Sequence, residues 1–211
     1  MPTRRTRRPS TVSTASTISQ TLQHVSDDQY TLTIPDARHG SLQIRLKLKS
    51  GADTTVKIGG APINCYAFAC ERRRNIPGGT SGPVSMPWMV KPDTIHEGLL
   101  KDGAIPLGLD PYNSNKRPDI TVAPDQEYYL IAAMFHTEEF HFARLFNDGW
   151  WAKPSKVGLA EQMTSTITIP GGKTAFKGAL CRAIAGGKSF HPVGYYLVPA
   201  RTYTSRRPPY R

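Results

Sequence analysis

The chain has 211 residues, 38% of them hydrophobic, and a formal net charge of +11; that length suits one domain with tails, and the apolar share suffices for one core. No run of about 18 apolar residues is present, which excludes a transmembrane helix, and the N-terminus lacks the apolar stretch of a secretory signal. The three cysteines, Cys65, Cys70 and Cys181, are too few and odd in number for a disulfide framework, which argues for synthesis in a reducing compartment.

The charge is concentrated at the ends. Residues 1–26 contain Arg4, Arg5, Arg7 and Arg8 and no acid. Residues 201–211 contain Arg201, Arg206, Arg207 and Arg211, again with no acid, so residues 27–200 carry only +3 of the net +11. An Arg/Ser/Thr-rich segment cannot bury enough apolar surface to offset its ordering entropy, so 1–26 is expected to be a disordered basic arm. Residues 27–200 are expected to be the folded domain, and 201–211 a second basic arm. Arginines on flexible arms suit a polyanion, because each one that meets a phosphate releases condensed counterions. The order R-R-x-R-R at 4–8 also matches a nuclear-localisation cluster.

The body opens with alternation. Tyr30, Leu32 and Ile34 alternate with threonines. After a turn at 35–40, Leu42, Ile44, Leu46 and Leu48 alternate with Gln43, Arg45, Lys47 and Lys49. Strict period two predicts half-buried strands. It also places Arg45, Lys47 and Lys49 on one wet face, where their fields add. Residues 54–58 and the apolar stretch 62–70 are read as further strands, which would set Cys65 and Cys70 on opposite faces. The triplet Arg72–Arg74 and a Gly/Pro-rich loop follow. Residues 84–90 are read as a short strand, 94–101 as a helical turn or two, and 106–118 as a loop. Residues 119–123 and 126–135 are expected to pair around Pro124-Asp125. Residues 137–146 fit either a helix start or a strand. Strands are also expected at 163–169, 174–185 and 193–198. Many short strands with Gly/Pro punctuation point to an all-β chain, an antiparallel β-sandwich or barrel.

No motif for chemistry stands out. His136, Glu138, Glu139 and His141 run H-x-E-E-x-H, not the H-E-x-x-H of zinc proteases. The tetrads at 171–174 and 186–189 lack the earlier glycine of a phosphate loop and read as turns. Asp110, Asp119 and Asp125 offer oxygen ligands for Ca2+ at a subunit contact, although loop aspartates are more often simple turn formers. No nucleophile has an identifiable base, so the chain is not expected to be an enzyme or to need a cofactor.

The layout MPTRRTRRPS, a Ser/Thr linker, then QYTLTI and SLQIRLKLKS resembles the coat proteins of small RNA viruses, particularly plant viruses of the ourmiavirus-like or tombusvirus-like kind. The resemblance covers the whole chain in layout and rests on no diagnostic motif. It implies an eight-stranded jelly roll closing into a many-copy shell, with no membrane partner. It implies that Arg4, Arg5, Arg7 and Arg8 neutralise a single-stranded RNA genome without reading its sequence. Arg45, Lys47, Lys49, Arg206, Arg207 and Arg211 are further candidate contacts. Such a protein is made in the host cytoplasm and ends in the virion. The alternative is a non-capsid single-strand-binding protein with an OB-like barrel, in which Tyr128-Tyr129 and Tyr195-Tyr196 stack on bases.

Overall fold

The computed structural model describes residues 21–36, 38–58, 62–71, 76–78, 91–108, 119–136, 139–153, 159–163 and 191–200. The fold is mostly β. Three strands form a meander: β1 (Thr21–Ser26), β2 (Gln29–Asp36) and β3 (Gly40–Lys47). The β2–β3 register, Leu32 opposite Ile44 and Asp36 opposite Gly40, follows the expected alternation and turn. Gly40 takes φ +73° at the strand start, and Asp36 Oδ1 accepts the Arg38 N–H at 3.0 Å, closing the turn. Residues 21–26 are a correction to the arm boundary at 26. Their polar composition suggested disorder, but pairing with β2 gives one side of their backbone partners and buries Leu22.

The remaining strands are β4 (Ile105–Gly108), β5 (Tyr128–His136), β6 (Glu139–Phe146), β7 (Gly149–Ala152), β8 (Glu161–Gln162) and β9 (His191–Pro199). They join the meander in one sheet ordered β1-β2-β3-β5-β6-β7-β8, with β9 between β5 and β4. Among the described residues all pairings are antiparallel except the β3–β5 contact, which is parallel at Leu46 opposite Tyr128. The sheet is therefore mixed rather than purely antiparallel.

Three segments read as strand or loop adopt other structure, for local reasons. Residues Gly51–Ile58 form α1. Ser50 caps it, its Oγ accepting the Asp53 N–H at 3.2 Å, and Asp148 accepts from Gly51 and Ala52. That cap outweighs the strand preference of the β-branched residues. Residues Cys65–Cys70 form α2, with Asn64 Oδ1 accepting the Ala67 N–H at 3.1 Å. All six α2 residues are buried, and a helix buried all round has no apolar period by which to tell it from a buried strand. Cys65 and Cys70 thus stand at the two ends of one buried helix, not on opposite faces of a strand. Residues Ile105–Gly108, placed at the edge of a loop, form β4, where Pro106 is tolerated because the strand is an edge.

The helical turns expected at 94–101 are part of α3, Pro92–Lys101, with proline in its first turn, Asp93 near its N-terminus and Lys101 near its C-terminus, as the helix dipole favours. Residues 119–123 make no strand but press Ile120 and Val122 against the core. Residues 139–146 resolve as strand. The expectations for 84–90, 164–169 and 174–185 lie outside the described residues.

Alternation along β5 explains the layering. Tyr128, Leu130, Ala132 and Met134 pack with Leu32, Ile44 and Leu46 of the meander. Tyr129, Ile131 and Ala133 pack on the opposite face with Tyr66 of α2 and Ile95 and Leu99 of α3. Strand β9 repeats this, Tyr195 and Leu197 facing the meander, Tyr196 and Val198 the helices. The central strands thus bury one face with residues of the meander and the other with residues of the helices.

Candidate nucleic-acid interface

The outer side of β3 carries the predicted cationic row. Ile44 and Leu46 point into the core, so Arg45 and Lys47 point away from it. Each cation of the row stands against an acid. Arg45 lies 3.6 Å from Asp125, and both side chains are well exposed. Lys47 lies 3.2 Å from Glu127 and 3.6 Å from Asp28. Partial burial works against the Lys47 charge, but the hydrogen bond to Glu127 and the charges of Asp28 and Glu127 outweigh it, holding its pKa above the ordinary lysine value. Lys49, beyond the strand end, lies 3.8 Å from Glu71. The row is therefore largely neutralised. Arg45 is the cation of the three best able to exchange its partner for phosphate, because an exposed ion pair contributes at most about 1 kcal/mol.

The candidate calcium ligands are likewise engaged with cations: Asp119 bonds Arg38 and Asp125 faces Arg45. Asp110 lies outside the described residues. Among the described residues no group of three or more His, Cys, Asp or Glu side chains is placed to hold a metal. His141 is buried on β6, away from solvent; the side chains of 136, 138 and 139, both glycine tetrads and the triplet 72–74 lie outside the described residues. No described helix is long and apolar enough to cross a membrane.

Arg4, Arg5, Arg7, Arg8, Arg206, Arg207 and Arg211 also lie outside the described residues, but their points of attachment do not. Thr21 pairs with Thr33, so the preceding arm joins the meander toward its β2–β3 turn. At the other end of the chain, Ala200 donates its N–H to Glu127 O at 2.8 Å and accepts from Gln126 Nε2 at 3.0 Å. The 201–211 segment thus starts beside Glu127, the partner of Lys47.

One polar centre escaped the sequence reading. Arg144 is fully buried on β6 and donates through Nη1 to Glu71 Oε1 at 2.9 Å, while the Tyr129 hydroxyl donates to Glu71 Oε2 at 2.6 Å. The Arg144 guanidinium also stacks on Tyr129 and Phe146. Glu71 occupies the left-handed position that ends α2, with φ 48°. Burial pushes its pKa up, but Arg144, Lys49 and the two hydrogen bonds outweigh burial and hold it below the ordinary glutamate value. Burial pushes the Tyr129 phenol far above its usual range, so it remains a donor. The available signal was weak: Glu71 ends the apolar run CYAFAC but opens the charge cluster Glu71–Arg74, and only Arg144 is a lone charge within an apolar run, FHFARLF. An arginine that cannot deprotonate and a phenol that stays protonated hold an anion in place; they do not perform acid–base chemistry.

Compared with protein-family models, with curated proteins and with solved structures, the chain matches none.

Proposed function

We propose that this chain is the coat protein of a small RNA virus, with a jelly-roll-type shell domain that assembles in many copies and basic arms that neutralise the genome. The observation that carries the reading is the partition of charge. The cations of the β3 face are paired with acids, whereas eight of the eleven net positive charges belong to residues 1–26 and 201–211. Polyanion binding is thereby delegated to arms that grip phosphate without demanding base identity. Leu32, Ile44 and Leu46 of the meander share one core cluster with Tyr128, Leu130 and Leu197 of the central strands, which supports the sandwich part of the proposal.

The alternative, base stacking on an OB-like barrel, needs exposed rings. Tyr128, Tyr129, Tyr195 and Tyr196 are all buried, which weighs against those residues in that role. The test is electron microscopy of the purified full-length chain with and without single-stranded RNA, alongside its absorbance ratio. Closed shells of uniform size containing nucleic acid are expected. A soluble protein that forms no particle at any protein or salt concentration would overturn the proposal.

A further inference from the structure

Strand β3 has β2 along one side for its whole length. On its other side, among the described residues, the ladder to β5 is a single pair, Leu46 opposite Tyr128. Residues 119–125 run beside β3 without joining the sheet. Asp119 pairs with Arg38 in the turn before β3, and Asp125 stands 3.6 Å from Arg45 near the strand's end. Between these two points Ile120 and Val122, both half-buried, pack against the cluster that contains Ile44 and Leu46. The Ala123 N–H donates to the Tyr128 hydroxyl at 3.0 Å, which ties the segment to the residue opposite Leu46.

The residues that follow are anchored far more firmly. Gln126 Nε2 donates to Ala200 O at 3.0 Å, and Glu127 O accepts the Ala200 N–H at 2.8 Å. The Glu127 carboxylate accepts from Lys47 Nζ at 3.2 Å and from Gln29 Nε2 at 3.1 Å. Residues 119–125, by contrast, are held through side chains. The described backbone hydrogen bonds of the segment are local, the Ala123 N–H to Tyr128 and the Gln126 N–H to Ala123 O. Pro124 lacks the N–H that a ladder requires. Both ion pairs are open to solvent: the side chains are 61% and 65% exposed for Arg38 and Asp119, and 58% and 94% for Arg45 and Asp125.

We propose that residues 119–125 are a strap over the open side of β3, hinged at Gln126 and Glu127 and latched by two ion pairs, Arg38 with Asp119 and Arg45 with Asp125. Screening or removing those charges releases it. An exposed pair shifts an equilibrium by at most about fivefold, so the two latches together bias the strap by at most roughly 25-fold. A bias of that size permits local opening under native conditions while the rest of the fold stays closed. Release uncovers backbone of β3 that β5 does not pair, so the charges of Asp119 and Asp125 set how often β3 stands as a sheet edge. The strap operates within a single chain, whatever that chain assembles into.

The test is hydrogen exchange of the Ala123 amide in the full chain, followed by NMR at about 10 mM and about 1 M sodium chloride, between which the Debye length shrinks from roughly 30 Å to about 3 Å. The Ala104 amide, which donates to Leu99 O at 3.0 Å, is the reference. Exchange of Ala123 relative to Ala104 is expected to quicken with salt by about five- to 25-fold. The variant Asp119→Asn/Asp125→Asn should exchange fast at low salt, show no further response to salt, and melt at the parent temperature, because both side chains are exposed. A ratio in the parent that ignores salt would overturn the proposal and assign the hold on the segment to Ile120 and Val122. So would a variant that keeps the slow exchange of the parent at low salt. If the variant unfolds, the salt response of the parent decides alone.

Discussion

The guanidinium carbon of Arg144 stands 3.4 Å from the centre of the Tyr129 ring, and both residues donate to the one carboxylate of Glu71. This centre ties the end of α2 to β5 and β6 through residues far apart in the chain. Its components are interdependent. Glu71→Gln should destabilise the fold by about 3–5 kcal/mol, because it leaves the Arg144 charge buried without its counter-charge. The double variant Glu71→Gln/Arg144→Met should be less destabilised than Glu71→Gln alone, since it removes the orphaned charge and keeps the volume filled. Urea unfolding of the two variants checks the order, and a double variant worse than the single would refute it.

The same carboxylate predicts acid lability. Its pKa is held below the ordinary value in the folded chain, so its contribution is complete above the ordinary glutamate value of about 4.3. That contribution is lost as pH falls through the lower folded value, because the unfolded chain takes up the proton more readily. The urea midpoint should fall as pH drops below about 4, and Glu71→Gln should flatten that part of the profile. An unchanged slope in Glu71→Gln would show that other carboxylates govern acid unfolding.

Gly98 offers a test of packing against propensity. Alanine is favoured over glycine inside a helix by about 1 kcal/mol. A Cβ at this α3 position, however, would lie 2.9 Å from the backbone of Pro77. A backbone neighbour cannot swing aside as a flexible side chain does, and overpacking costs about 1–3 kcal/mol. Gly98→Ala should therefore lower thermal stability despite the better helix former. A melting temperature at or above that of the parent would mean that the segment around Pro77 gives way without cost.

The arms should govern nucleic-acid affinity. Replacing Arg4, Arg5, Arg7 and Arg8 by alanine removes up to four phosphate contacts and should reduce the log–log salt slope on a single strand by roughly 3. Packaged nucleic acid should fall sharply, with the melting temperature unchanged. Lysine at the same four positions should retain most of the slope, since charge is kept though the bidentate grip is lost. Arg45→Ala should change the slope by less than about one, because one phosphate contact is the most it can remove. Binding measured at several salt concentrations separates these cases, and a larger effect from Arg45→Ala than from the arm would move the grip to the β3 face.

The parts legible in advance were those whose cause is local. Strands β2, β3, β5 and β9 announced themselves through alternating or continuous apolar residues, and α3 through the stretch TIHEGLLK. Helix α1 was hidden because part of its cap comes from Asp148, 97 residues from Gly51. Helix α2 was hidden because burial on all sides erases periodicity. The cationic face of β3 was visible, but its neutralisation was not. Lys47 meets Glu127 across 80 residues of sequence and Arg144 meets Glu71 across 73. Such pairings are set by sheet order, which no short window of sequence contains.

Strand β9 sits between β4 and β5 and hydrogen-bonds both, yet residues 137–190 separate it from β5. During synthesis β4 and β5 are therefore made long before the strand that joins them. Until residue 199 has left the ribosome, β5 lacks the strand that pairs along its full length, and Tyr195, Tyr196, Leu197 and Val198 are missing from both faces of the core. Folding of the centre is consequently a late event that closes a long loop. A nascent chain halted before β9 would present the β5 edge to any neighbouring strand, including that of another chain on the same messenger.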